Sequence, residues 1–196
     1  TGNTAELAHA VAAGSEKAGA ETRVLRASEP SPGDRAARAW EDPVAGLSDL
    51  EWADGVAIGT PTRFGLVSAE MKGFLDRAGP LWQRGALADK ALTAFTAAHT
   101  PHGGHETTIA SLYNVFTHWG CVIVPLGYTD PAVFATGNPY GSSWSSDGGA
   151  GPDAATLDVA RHQGRRLARI AALLRGEPAP DDTELTGSRV GATGGG

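Results

Sequence analysis

Val56-Ala57-Ile58-Gly59-Thr60-Pro61-Thr62-Arg63-Phe64-Gly65 runs from an apolar strand into a polar, kinked turn, and a helix over 68–78 is expected to follow. In an open α/β sheet, ligands gather where strands deliver their C-terminal ends into loops. The loop over 61–65 offers a hydroxyl on Thr62, a guanidinium on Arg63, an aromatic ring on Phe64 and a glycine at 65. That set suits a flat, polar-edged ring system. An ordinary strand-to-helix turn accounts for these residues equally well when they are taken alone.

Working outward, Leu7, Val11 and several alanines at helical spacing predict a helix over 5–18, stopped by Gly19. Strands are expected over 21–25, 55–59, 90–96 and 121–125, and helices over 48–53, 106–119 and 153–174. Residues 27–45 read as a long connection. Residues 126–153 read as an irregular stretch dense in Gly, Ser, Asn and Pro, and loops of that length inside a compact domain are usually functional or disordered. Alternating helices and strands imply a parallel sheet covered on both faces. The apolar strand runs are continuous rather than alternating, which agrees. The expected fold is a doubly wound α/β sheet of order 2-1-3-4-5. The chain opens at Thr1 without Met, at what reads as the loop after a strand. The first strand of that sheet is therefore expected to be missing from this chain. One domain over 1–175 and a disordered Pro/Asp/Gly-rich tail over 176–196 complete the expected organisation.

The 196 residues are enough for one well-buried domain. Hydrophobic residues are 41%, charged residues 19% and the formal net charge is -6. This balance disfavours a nucleic-acid partner, because no basic stripe is present. The nearest candidate, the arginines over 161–169, alternates with apolar residues and reads as a solvated face or a subunit contact. The one cysteine, Cys121, excludes a disulfide within the chain and reads as a buried strand thiol. No apolar run approaches the ~20 residues of a membrane span, and no signal peptide is visible.

Thr1-Gly2-Asn3-Thr4 precedes the first helix. Hydroxyls, a glycine that lets a ligand approach the backbone, and helix-start amides form an anion site. A plain helix cap is the alternative. The Gly-Lys-Ser/Thr ending of a nucleotide-phosphate loop is missing, and so is G-x-G-x-x-G. A third loop, Ala98-His99-Thr100-Pro101-His102-Gly103-Gly104-His105, follows the strand over 90–96 and would lie on the same sheet edge as 61–65. Its three histidines lack an acidic or thiol partner at zinc-like spacing, so no metal site is expected.

These stretches occur in a recognisable order with Gly79-Pro80-Leu81-Trp82, Gly103-Gly104-x-Glu106-Thr107, His118-x-Gly120-x-Val122-Ile123-Val124-Pro125 and Asn138-Pro139-Tyr140-Gly141. Together they resemble the WrbA-type flavodoxin-like NAD(P)H:quinone oxidoreductases over roughly residues 1–175. The resemblance implies FMN at the C-terminal edge of the sheet. Its phosphate loop maps onto Thr1, Gly2, Asn3 and Thr4. The flavin-ring loop maps onto Pro61, Thr62, Arg63, Phe64 and Gly65. The third flavin loop maps onto Ala98, His99, Thr100, Pro101, His102 and Gly103. Trp82 and His118 map onto the wall over the open flavin face, in a tetramer whose subunits complete one another's sites. The implied activity is ping-pong reduction of quinones by NADH or NADPH in the cytoplasm, with Trp82 stacking and His118 serving a quinone oxygen. Arg63 would place positive charge near the flavin's pyrimidine edge, Glu106 would cap a helix and Tyr140 would line the mouth. Pro101 and His102 depart from the family's Gly/Ser/Thr-rich third loop, and Thr1 stands where some members carry an aromatic residue. A flavodoxin-like electron carrier, or a flavin-binding regulator without turnover, is the alternative activity.

Overall fold

The computed structural model describes residues 2–29, 41–147 and 149–176. Its elements in chain order are α1 (Asn3–Lys17), α2 (Leu47–Trp52), β1 (Gly55–Pro61), α3 (Ala69–Arg77), α4 (Gly79–Gln83), β2 (Ala91–Ala98), α5 (His105–Trp119), β3 (Val122–Ile123), α6 (Pro131–Thr136), β4 (Ser143–Ser145) and α7 (Ala154–Leu174). All ladders are parallel. β1 pairs with β2 from Gly55↔Ala91 to Pro61↔Ala97. All eight residues of β2 are buried, because helices cover both faces. Leu92 and Ala94 pack with Phe74, Leu75, Ile109, Leu112 and Phe116 on one face. Phe95 packs with Leu7, Val11 and Ala160 on the other. The apolar run without alternation is thus that of a strand with a core on each side.

On the second face α1 and α7 cross with their backbones in contact. A Cβ at Gly14 would lie 1.9 Å from the Arg161 carbonyl oxygen, and one at Gly164 would lie 1.9 Å from that of Val11. Only glycine permits this approach. It fixes where α1 starts relative to the sheet edge. Gln163, buried on α7, makes a second tie. Its amide oxygen accepts from the Ser142 N–H (2.9 Å) and hydroxyl (2.7 Å), and its amide NH2 donates to Thr93 Oγ1 (2.7 Å) and the Ala94 carbonyl (2.8 Å). The chain leading into β4 is thereby pinned against β2.

The open α/β architecture agrees with expectation, and so do the helices around positions 5–18, 48–53, 68–78, 106–119 and 153–174. The strands differ in three ways. Residues 21–25 form no ladder and lead into a single bridge, Arg26↔Val44. A strand exists only through a partner's hydrogen bonds, and an open cavity separates these residues from β1. Among the described residues, the sheet therefore holds the 3-4-5 side of the expected order without its 2-1 side. The strand expected over 121–125 shrinks to β3, since Pro125 lacks an N–H and the chain turns away. Finally, the stretch over 126–153 is not irregular throughout. It holds α6, begun by the Asp130 side chain accepting from the Ala132 N–H and ended by Gly137 at φ 79°. It also holds β4, which pairs with β2 at Thr96–Ala98, beyond β3. The expected tail lies, from residue 177 on, outside the described residues.

Candidate functional site

Helix α1 begins at Gly2, which adopts the left-handed conformation at φ 82°, and no side chain caps the first amides. The positive end of a fifteen-residue helix is left open to an anion. Thr1 lies outside the described residues. Gly2, Asn3 and Thr4 line a cavity of about 1330 Å³, which also runs along α1 and β1 away from the sheet edge. Pro61, Thr62 and Arg63 from the end of β1 line the same cavity, as do Ala98 and His99 from the end of β2. Three expected loops are therefore gathered at one sheet edge. Ser146 joins them, because β4 delivers it there and its N–H bonds the Ala98 carbonyl at 3.0 Å. The sequence offered no sign of this residue, since Ser-Trp-Ser lacks the apolar run of a buried strand.

After β1 the chain makes a two-residue hairpin. The Arg63 N–H donates to the Leu66 carbonyl at 2.8 Å, and the Leu66 N–H returns to the Arg63 carbonyl at 3.0 Å. Phe64 and Gly65 between them take φ 54° and φ 79°, the geometry of a type I′ turn. For Phe this conformation costs about 1–2 kcal/mol. The turn nevertheless presents the ring wholly to solvent, at 105% relative exposure. A strained backbone holding out a bare aromatic face is an arrangement suited to stacking on a flat ligand.

Thr62 keeps its polar groups bonded within the protein. Its N–H donates to the Ala97 carbonyl at 2.9 Å, and its hydroxyl pairs with that of buried Thr108 on α5. Arg63 keeps its guanidinium close to the loop, with Nη1 donating to the Thr62 carbonyl at 3.1 Å. Thr100, Pro101, His102 and Gly103 form a turn closed by the Gly103 N–H on the Thr100 carbonyl at 3.0 Å, and they do not line the cavity. The third histidine, His105, is buried, with Nε2 3.1 Å from the Trp144 carbonyl oxygen.

Trp82 and His118 stand together but far from this edge. The Trp82 indole N–H donates to the His118 carbonyl at 2.9 Å. His118 closes the C-terminal end of α5, whose first residue is His105 beside the third loop. Thirteen helical steps separate them, about 20 Å at 1.5 Å each. Within one protomer, neither residue reaches the loops. Glu106 lies in the first turn of α5, as expected. Tyr140 is partly exposed, and its carbonyl accepts from the Tyr113 hydroxyl. Burial pushes that phenol up to about 12, so it remains a donor at neutral pH.

The free start of α1, the stretch Pro61, Thr62 and Arg63 and the end of β2 meet on one cavity at the edge of an open α/β sheet, while Phe64 and Gly65 stand outside its lining. The family model for NADPH-dependent FMN reductase matches residues 1–130. A protein of Deinococcus radiodurans named NAD(P)H dehydrogenase (quinone) is 39% identical over 187 residues, covering 90% of this chain and 93% of its own. One of the same name from Azorhizobium caulinodans is 42% identical, covering 89% and 94%. Among solved structures, a flavodoxin, WrbA-like protein from Agrobacterium tumefaciens superposes with a TM-score of 0.65 at 26% identity, covering 88% of this chain and 91% of its own. The chain belongs to the NADPH-dependent FMN reductase family. No described helix is long and apolar enough to cross a membrane.

Proposed function

We propose that this protein is an FMN-dependent NAD(P)H:quinone oxidoreductase. The observation that carries the reading is the meeting of the α1 start, Pro61, Thr62 and Arg63 after β1, and the end of β2 on one cavity. When bound, FMN supplies the chemistry of accepting a hydride from NAD(P)H and passing two electrons to a quinone. The chain's own residues bind and orient. The first turn of α1, with Gly2, Asn3 and Thr4, takes the phosphate, helped by Thr1. The backbone of Pro61, Thr62 and Arg63 follows one edge of the ring, with Phe64 against its face and Gly65 permitting the turn. Ala98 and His99 close the opposite side, and Thr100, Pro101, His102 and Gly103 shape the outer rim.

Trp82 and His118 serve this site from another copy of the chain. Their separation of about 20 Å from the loops of their own protomer supports service from a second one. The indole bond to the His118 carbonyl sets the Trp82 ring as a rigid wall. An exposed His118 imidazole beside it is placed to donate a hydrogen bond to a quinone oxygen as charge builds there. This arrangement requires an oligomer, and a homotetramer supplies it. A reductant as charged as NAD(P)H places the work in the cytoplasm, where that nucleotide is made.

The test is to mix FMN-loaded protein with NADPH or NADH and benzoquinone and follow the nicotinamide absorbance. Quinone-dependent oxidation is expected. Tight FMN binding without any such turnover would leave a flavin-binding electron carrier. Oligomers assembled from His118→Ala subunits and subunits that cannot bind FMN test the shared site. If His118 acts across subunits, mixing raises neither parent's activity at the intact-flavin sites lined by His118→Ala, but restores it where a wild-type His118 faces a loaded loop.

A further inference from the structure

We propose that Thr108 is a positioning residue for the flavin site, acting through Thr62 to hold the 61–65 turn against the third loop. The inference rests on the flavin reading above. Thr108 lies in the first turn of α5, is fully buried, and meets the Thr62 hydroxyl across 46 residues of sequence. Thr62 is 9% exposed, and its oxygen also lies 3.4 Å from the Gly103 carbonyl oxygen. One assignment of protons satisfies the set: Thr108 donates to Thr62, and Thr62 donates to Gly103. The two loops therefore share a buried relay rather than merely touching.

Their backbones are also in contact. A Cβ at Gly104, which takes φ 91°, would lie 2.7 Å from the Gly65 Cα. Such close approach leaves the loops no separate freedom, provided the hydroxyl relay holds their lateral register. Thr108 itself does not line the cavity, so it touches no ligand directly. Its influence runs through the position of Thr62 and the amides on either side. The relay also explains why a threonine inside the ring-binding loop turns its hydroxyl away from the cavity.

Thr108→Val keeps the shape and removes the donor. The expected result is FMN binding weakened about tenfold in a fluorescence titration, because the ligand must then order a turn that the relay holds in place beforehand. Thr108→Ser is expected to restore wild-type affinity. Thr62→Val, which removes both links of the relay, is expected to weaken binding at least as much, and the double variant Thr62→Val/Thr108→Val no further than Thr62→Val alone, because Thr108 acts only through Thr62. Thr62→Val and Thr108→Ser carry the comparison if Thr108→Val does not fold. A lowered apo melting temperature with unchanged FMN affinity, or additive losses in the double variant, would overturn the inference. A wild-type protein that binds no FMN would overturn the flavin reading itself; wild-type binding with equal binding by Thr108→Val would overturn only the positioning role.

Discussion

Phe64 separates folding from function in one side chain. Its ring is wholly exposed, so Phe64→Ala removes no packed surface from the apo protein. The left-handed backbone remains, and the apo melting temperature should stay within about 2 °C of wild type, the effect of ~0.5 kcal/mol in a domain of this size. Phe64→Gly goes further. It relieves about 1–2 kcal/mol of conformational cost, offset by about 0.5–1 kcal/mol of extra chain entropy lost on folding. The glycine variant should therefore be as stable as wild type or slightly more so. Both variants lose the stacking face. Covering about 60 Å² of ring at ~25 cal/mol/Å² is worth about 1.5 kcal/mol, and the specific ring–ring term adds ~0.5 kcal/mol. FMN affinity should fall roughly thirtyfold, read by quenching of flavin fluorescence on titration. The reasoning fails if Phe64→Ala melts many degrees lower without ligand, which would mean the ring is packed, or if either variant binds FMN as tightly as wild type.

Other perturbations address the scaffold. Gln163→Leu strands the buried Ser142 N–H, Thr93 hydroxyl and Ala94 carbonyl contacts and should cost about 3 kcal/mol, a drop near 10 °C in thermal denaturation. Because Ser142 leads into β4 and Ser146, FMN affinity should weaken with it; a change under 2 °C would show the network to be dispensable. Burial pushes the Cys121 thiol up to about 11, so only about 0.1% is thiolate at pH 8. Iodoacetamide at that pH should leave the native protein unlabelled while modifying it fully in urea, as mass spectrometry would report. Burial lowers the folded-state value of His162 below its ordinary 6.5, against the opposing pull of Asp130. The unfolded chain then binds the proton more readily, so this contribution to stability is complete above about pH 6.5 and is lost as pH falls toward the folded value. Melting curves from pH 8 to 5 should show a smaller acid-side loss for His162→Gln than for wild type.

The helices and the central strands were legible because their signals are local. Leu7, Ala10 and Val11 recur at helical spacing, and the residues of β2 form a largely apolar run broken only by Thr93 and Thr96. The turn over 61–65 and the loop from Ala98 were legible because each follows such a run, and Thr1-Gly2-Asn3-Thr4 was legible by its hydroxyls and glycine ahead of a helix. Asp130-Pro131 and Gly137 even carried the capping signature of α6, but the surrounding glycines and prolines masked it.

Ordering along the chain thus determined the class of sheet and which loops share its C-terminal edge. Tertiary structure alone decided three other things. Residues 21–25 have the composition of a strand, yet pairing depends on a neighbour in space, and a cavity lies beside them. Ser143-Trp144-Ser145 lacks that composition, yet Gln163 and β2 supply the partners that make it one. Thr62 reads as a ligand contact in one dimension, while a threonine 46 residues away draws its hydroxyl inward. Propensity and period act between neighbours in the chain; hydrogen-bond partners and the span of a helix act through space, and they placed His118 and Trp82 at the far end of α5 from the loops of their own protomer.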